Sequence, residues 1–261
     1  MRYLRLLALQ LRLSIATGMQ YRWNFVVDGF VSLLWTALGL VPLYVALHGR
    51  PPIAGWTFDR ALVVVGYFTL LRGVLDGAVN PSLITVVGHI REGTLDFVLL
   101  KPADAQFLVS TTRFEIWKGL DVLAAFGILA WAFHLLGHAP SVGGAALSFA
   151  LLACAMIVLY SVWILVVAAA FWVVRLDNLA YLFGSIFDFS RWPVTIFKGA
   201  WRIVFTFVIP LGLMTTYPAE AILGALAPRT AVYAVLGSLA FAAVARAVWT
   251  RAISRYTSAS S

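Results

Sequence analysis

Residues 122–174 contain no Asp, Glu, Lys or Arg, and an uncharged stretch of this length permits few kinds of fold. A helix crosses a bilayer core of about 30 Å with roughly 20 apolar residues, so the stretch is long enough for two crossings. The motif GHAPSVGG at residues 137–144 contains turn-forming residues that would separate them. The stretch therefore predicts a hairpin of two transmembrane helices.

The rest of the chain agrees with a membrane protein. Hydrophobic residues make up 62% of the 261 residues and charged residues only 11%, far from the averages of soluble domains. Apolar runs with few charges, and the helix breakers between them, predict six spans: about 26–47, about 60–82, two within 122–174, one from about 193, and about 230–249. We expect an all-α polytopic membrane protein in which residues 1–261 form one transmembrane domain.

Positive charges predict the orientation of this domain. Arginines precede the first span and follow the last, so the positive-inside rule places both termini in the cytoplasm. Residues 1–22 carry leucines on one side of a helix and arginines on the other, which is typical of an interfacial helix. Residues 83–112 and 175–191, including Asp188 and Arg191, are then expected on the cytoplasmic side. No basic stretch with interleaved aromatic residues predicts nucleic-acid binding.

Residues 89–104, HIREGTLDFVLLKPAD, form the longest strongly charged stretch in the middle of the chain, and they surround an apolar block. A simple connecting loop would not need that block. The pattern of this stretch predicts a short amphipathic helix. Gly93 permits a sharp turn before the apolar block, and Pro102 ends or redirects the helix after it. A helix that rests on lipid headgroups is an alternative reading of the same pattern.

Charges and prolines also interrupt the predicted spans. Arg72 and Asp76 lie one helical turn apart, so they can neutralise each other. Their pair either lines or gates a translocation route or holds helices together, and the sequence leaves both readings open. Pro210 and Pro218 each remove a backbone donor, which predicts a kink or short re-entrant helices between about residues 210 and 228.

Motifs for enzymatic chemistry are missing from the sequence. There is no GxxxxGK[ST], and neither Lys118 nor Lys198 lies in a glycine-rich loop before Ser or Thr, so no P-loop for nucleotide is expected. HExxH, GxSxG and CxxC are also absent. His134 and His138 have helical i, i+4 spacing but no nearby carboxylate or thiol, which favours ordinary interfacial histidines over a metal site. We expect no catalytic residue, metal or cofactor in this chain.

A family resemblance adds to this reading. The stretch VVGHIREGTLDFVLLKPADAQFLVS resembles the segment after the second span in ABC (ATP-binding cassette) type-2 permeases, in the viologen-exporter-like branch. The matching positions are Arg91, Gly93, Leu95, Asp96, Leu99, Leu100, Lys101 and Pro102. The stretch RWPVTIFKGAWRIVFTFVIPLGLMTTYPAEAIL resembles the fifth span of the family and its broken outer end.

The resemblance implies a permease subunit that exports a hydrophobic or amphipathic substrate across a bacterial inner or plasma membrane. ATP and Mg²⁺ would be bound by a pair of separate ABC ATPase chains. A second permease, identical or homologous, would face this one, with membrane lipids around both. Residues of the second and fifth spans would line or gate the route, and the candidates are Phe68, Arg72, Asp76, Phe205, Phe207, Pro210, Pro218 and Glu220.

Permeases of this kind place a short cytoplasmic helix in a groove of the ATPase. The resemblance therefore implies that residues 83–112 form a coupling segment whose contact residues are Arg91, Glu92, Gly93, Leu95, Asp96, Phe97, Leu99, Leu100, Lys101 and Pro102. The physical chemistry agrees, because the apolar members are costly to expose to water while the charged members can pair at a polar rim.

Two other classes stay open at this point. An ATP-independent channel or secondary transporter would use Arg72, Asp76 and Glu220 to handle ions or protons, although carboxylates inside the spans are few. Such transporters also often show matching broken helices in two halves, which this sequence lacks. A scaffolding or insertase-like membrane protein is the third class.

Overall fold

The computed structural model describes residues 2–20, 22–172 and 177–254 of the chain. All named secondary-structure elements in these residues are helical, which confirms the all-α prediction. The helices are α1 (Arg2–Gln20), α2 (Arg22–Leu47), α3 (Phe58–Val74), α4 (Asn80–Arg91), α5 (Asp96–Leu99), α6 (Ala105–Ser110), α7 (Gly119–Leu136), α8 (Val142–Ala168), α9 (Asp177–Asp188), α10 (Ala200–Ile203), α11 (Tyr217–Ile222) and α12 (Pro228–Ser254). The predicted interfacial helix at residues 1–22 corresponds to α1, with Met1 and Tyr21 outside the described residues.

Five helical runs of the described residues are long and apolar enough to cross a membrane. They are Phe25–Leu47, Phe58–Ile90, Ile116–Leu136, Val142–Phe171 and Pro228–Ser254. The second run joins α3 to α4 through one π-helical turn, Leu75–Val79. It therefore continues past residue 82, where the sequence predicted its end, and forms the first part of the segment predicted at residues 83–112.

A broken pair of helices supplies the sixth candidate span. Ala200–Val208 and Gly212–Ile222 are bent by 68° relative to each other. Pro210 lies at the break, because its ring and missing N–H cannot continue the preceding helix. The predicted break is thus confirmed at Pro210. The second break predicted at Pro218 is absent, since Gly212–Ile222 is one continuous helix in which Pro218 lies just after the π-helical turn Gly212–Thr216.

Small residues set the packing at the centre of the bundle. A Cβ atom at Gly66 of α3 would lie 2.6 Å from Leu129 of α7, and one at Gly144 of α8 would lie 2.9 Å from the Ala221 carbonyl oxygen. Transmembrane helices approach closely where such small residues face a neighbour. As a result α3 and α8 are mostly buried, while α2, α7 and α12 expose apolar faces that suit lipid.

Residues 187–195 lie against α3 and not in a loop beyond the spans. The Phe187 ring lies 5.4 Å from the ring of Phe68, which is inside the second span. Further along, Thr195 Oγ1 accepts a hydrogen bond of 2.7 Å from Trp56 Nε1, just before α3 begins. The segment therefore follows α3 from its middle to its start.

This placement corrects the prediction for Asp188 and Arg191, which the sequence assigned to a cytoplasmic return. The Arg191 guanidinium lies 5.0 Å from the centre of the Phe68 ring, and Asp188 pairs with Arg72 of α3. Charges that are paired in this way are tolerated at membrane depth. The end of α9, from Phe187, and residues 189–195 consequently form a limb beside α3, and the bent pair follows it.

Candidate functional site

Within the predicted coupling segment, residues 83–112, the chain makes a sharp turn after α4. Gly93 has a φ of +68°, a conformation that favours glycine. The Thr94 N–H donates to the His89 carbonyl oxygen at 2.9 Å, and the Gly93 N–H donates to that of Ile90 at 3.4 Å. These two bonds form the left-handed helix termination in which glycine is common, so the sharp turn predicted at Gly93 is present.

The apolar residues of the segment divide between two faces of α5. Leu95 is fully buried, at 0% exposure, and Leu99 packs half-buried against the core. Phe97 is 71% exposed and Leu100 is 81% exposed, on the opposite side. Leu95 and Leu99 therefore anchor the segment to its own chain, and two of the four expected apolar contact residues remain for a partner.

Polar residues border the two exposed side chains. Glu92, Lys101 and Pro102 are exposed, while Asp96 is half-buried. The side chain of Arg91 lies outside what the structure describes. The exposed surface of the segment is therefore an apolar pair with charge at its rim, and we call Phe97 and Leu100 the apolar tip.

After the apolar tip, Asp104 and Gln106 form the base of the segment, and hydrogen bonds join this base to two long helices, α12 and α8. Asp104 caps α6 by accepting a hydrogen bond of 3.0 Å from the Phe107 N–H. Arg246 of α12 donates to Asp104 Oδ2 at 2.7 Å and to Gln106 Oε1 at 2.6 Å. Gln106 Nε2 then donates to the hydroxyl of Tyr160 on α8 at 3.1 Å. The Arg246 hydrogen bond lowers the pKa of the Asp104 carboxyl, which keeps it ionised at neutral pH.

The ion pair predicted between Arg72 and Asp76 is present and larger than expected. Arg72 Nε donates to Asp76 Oδ2 at 2.8 Å, as the one-turn spacing predicted. Arg72 Nη1 also donates to Asp188 Oδ1 at 2.8 Å. A single guanidinium thus joins two carboxylates, one on its own helix and one on the limb beside it.

Lys118 and Asp121 extend this cluster to the start of α7. The Lys118 ammonium lies 3.0 Å from Asp121 Oδ2 and 3.7 Å from Asp76 Oδ2. Ser32 of α2 donates to Asp121 Oδ1 at 2.7 Å. Asp121 is only 2% exposed, so these two partners compensate a nearly inaccessible charge.

The charged cluster lines a cavity of about 580 Å³ between α2, α3 and the start of α7. Trp35 and Phe68 provide apolar wall, and Arg72, Asp76 and Arg191 provide the polar part. The cavity therefore brings together three of the residues predicted to line a route, namely Phe68, Arg72 and Asp76. Its size is that of typical small-molecule pockets.

The other residues predicted for the route lie elsewhere. Phe205 packs among aromatic rings, with centroids 5.8 Å from Phe189 and 4.9 Å from Phe197. Phe207 is exposed on the outer face, and Pro210 occupies the helix break. The remaining two, Pro218 and Glu220, lie in α11, where the Pro218 carbonyl oxygen accepts from Ser148 at 2.7 Å.

The sequence reasoning missed four residues that matter in these arrangements. Lys118 drew attention only as a possible P-loop lysine, and Asp121 marked merely the start of an uncharged stretch. Arg246 and Asp104 pair across 142 positions of sequence. The three-residue spacing of Lys118 and Asp121 was a signal of a helical ion pair that sequence reasoning did not use, whereas nothing in the sequence identified Arg246 as the partner of Asp104.

Five to six apolar helical spans in the described residues, with a charged cavity between them, are the features of a polytopic membrane protein. The family described as ABC-2 family transporter protein matches residues 33–260 of the chain. The chain belongs to this family and is a transmembrane component of an ABC transporter, not its nucleotide-binding domain. This match does not test the viologen-exporter-like branch, which stays a prediction. No curated protein and no solved structure matches the chain.

Proposed function

We propose that this chain is the permease of an exporter that moves a hydrophobic or amphipathic substrate across a bacterial inner or plasma membrane. ATP and Mg²⁺ are bound by a separate ATPase chain, present in two copies, and an identical or homologous permease completes the route. The observation that carries this proposal is the apolar tip, which a fixed turn and a tethered base hold away from the bundle.

The length of the second span favours a docking segment over a helix on the membrane surface. Phe58 lies in an aromatic group with Tyr44, His48 and Trp131, and such groups occur at membrane interfaces. From Phe58 to Glu92 the helix rises about 50 Å at 1.5 Å per residue, whereas a bilayer with its headgroups measures about 40–45 Å. This favours a segment that projects beyond the headgroups and contacts a protein.

Movement of an ATPase bound at the apolar tip would be transmitted directly to the helix bundle. α4 continues into α3 through the π-helical turn, so displacement of the tip acts on the second span along its axis. The Arg246 contacts join the base of the segment to α12 as well. We therefore assign coupling to residues 92–102 and its transmission to the second and last spans.

The charged cavity supports an amphipathic substrate. It offers an apolar wall at Trp35 and Phe68 beside polar groups at Arg72 and Asp188, and such a combination suits a molecule with one polar end. The alternative of an ATP-independent channel or secondary transporter receives less support. Membership of the ABC-2 family points to an ATPase, and two residues assigned to ion handling, Arg72 and Asp76, pair with each other.

The test of the proposed function is co-expression with the ATPase encoded nearest to the gene. We expect the two chains to purify together in detergent and to move a fluorescent amphiphile in vesicles only when ATP is hydrolysed. A non-hydrolysable ATP analogue serves as the control. Uptake that continues at the same rate without ATP would contradict an ATP-driven permease.

Labelling of single cysteines tests the topology that the proposal needs. We expect cysteines at Arg50 and Val142, both exposed positions, to react with an impermeant maleimide on intact cells. Cysteines at Glu92 and Lys101 are expected to react only after permeabilisation, because they lie at the opposite end of the second span. A Cys154→Ala background removes the native thiol. External labelling at Glu92 would exclude a cytoplasmic ATPase contact there.

A further inference from the structure

A second cavity, of about 570 Å³, lies between α1, the start of α2 and residues 112–117. It shares only Asp28 and Trp117 with the charged cavity, and none of residues 92–102, to which we assign coupling, lines it. One of its lining residues is Thr85 of the second span. At a rise of 1.5 Å per residue, Thr85 lies about 40 Å from Phe58 along that helix. Because Phe58 marks the far interface, this depth corresponds to the headgroup layer on the side of the termini.

The wall of this cavity is fixed by backbone hydrogen bonds. Three consecutive N–H groups of the loop donate to three other parts of the chain: Arg113 to Ser82 Oγ at 3.0 Å, Phe114 to Ser14 Oγ at 3.1 Å, and Glu115 to the Gly77 carbonyl oxygen at 2.8 Å. A loop held in this way on α1 and on the second span forms a cavity before any ligand arrives.

The two carboxylates of the cavity differ in their contacts with the described residues. Glu115 has both oxygens engaged, by Arg113 Nη2 at 2.8 Å and by Trp117 Nε1 at 3.2 Å. Asp28 makes no hydrogen bond or ion pair with any residue that the structure describes. The Arg113 side chain is 65% exposed and retains further guanidinium N–H groups beyond its bond to Glu115.

Hydroxyl groups in the cavity are poised to accept hydrogen bonds. Thr17, Thr85 and Thr112 each donate their proton to a carbonyl oxygen four residues earlier, at 2.9–3.0 Å. Their oxygen lone pairs remain for a ligand that carries N–H groups. Together with Asp28 they favour a primary ammonium, which has three donors, over a quaternary ammonium, which has none.

We infer that this cavity binds the phosphoethanolamine headgroup of a membrane lipid, with the ammonium near Asp28 and the phosphate near Arg113. Leu13, Phe25 and Ile116 supply apolar surface for the glycerol and the start of the acyl chains. The inference requires that Thr85 lies in the headgroup layer, and it does not depend on an ATPase or on export.

Native mass spectrometry of the purified permease with equal amounts of phosphatidylethanolamine, phosphatidylcholine and phosphatidylglycerol tests this site. We expect the wild type to retain phosphatidylethanolamine about tenfold over the other two, since charge-assisted hydrogen bonds discriminate by at least this factor. Asp28→Asn should remove the preference. The matched control Asp59→Asn, at the other end of the second span, should keep it.

A second variant and a soluble competitor distinguish a lipid site from a site for a water-soluble amine. Thr85→Val removes one acceptor with little change in shape, so a reduced preference is expected even if Asp28→Asn purifies poorly. Soluble glycerophosphoethanolamine in excess should not displace the lipid, because it lacks the acyl chains; displacement would assign the cavity to a water-soluble amine and overturn the lipid inference. Equal retention of all three lipids by the wild type, or an unchanged preference in Asp28→Asn, would also overturn it.

Discussion

Leu100→Asp is expected to abolish capture of the ATPase while the permease still inserts and remains monodisperse. Leu100 is 81% exposed and forms the apolar tip with Phe97, so the change costs the isolated permease almost nothing. When the tip occupies a groove of the ATPase, the same change buries a charge at the centre of the interface. Central residues of this kind contribute about 2–4 kcal/mol, or roughly 30- to 1000-fold in affinity.

A matched variant separates this effect from a general effect of added charge. Val142 at the start of α8 is 89% exposed, and Asp is favourable at a helix N-terminus, so Val142→Asp should leave ATPase binding unchanged. Phe97→Asp should repeat the loss seen with Leu100→Asp. Detergent pull-downs and vesicle transport on the same preparations measure both. Normal ATPase binding by Phe97→Asp and Leu100→Asp would show that the tip is not the coupling surface.

Sequence predicted those parts of the fold that local chemistry determines. The described part of the uncharged run, residues 122–172, does fold into a hairpin of two long helices, α7 and α8. Gly93 follows the end of α4 with the positive φ that its residue type permits, and Pro210 breaks the helix that it cannot continue. In each case the cause lies within one or two turns of the residue itself.

Tertiary contacts decided the features that sequence could not predict. Asp188 lies beside α3 because Arg72, distant in sequence, neutralises it, whereas charge counting assigns any such carboxylate to a loop. Pro218 was predicted to interrupt a helix, but it lies within the continuous helix Gly212–Ile222, just after a π-helical turn that the sequence does not reveal. The division of α5 into a buried and an exposed face follows from its position on the bundle, and α5 is too short for periodicity to reveal that position.

The largest loss of stability is expected for Lys118→Met, which breaks the ion pair between Lys118 and the buried Asp121. The substitution leaves the Asp121 carboxylate, 2% exposed, with a hydroxyl of Ser32 as its remaining close partner. Removing one member of a buried ion pair costs about 3–5 kcal/mol, because the other charge stays out of water without compensation. For a chain of this size that corresponds to a fall in melting temperature on the order of 10 °C. Fluorescence-detected size-exclusion chromatography after heating measures the change.

A second substitution distinguishes loss of charge balance from loss of packing. Lys118→Met combined with Asp121→Asn removes both charges at nearly constant volume, and buried ion pairs replaced by neutral groups often recover most of the stability. We therefore expect the double variant to melt closer to the wild type than Lys118→Met alone. Lys198→Met, at an exposed position, is the matched control and should melt like the wild type. A double variant as unstable as Lys118→Met would mean that Lys118 stabilises the bundle through its side-chain packing and not by neutralising Asp121.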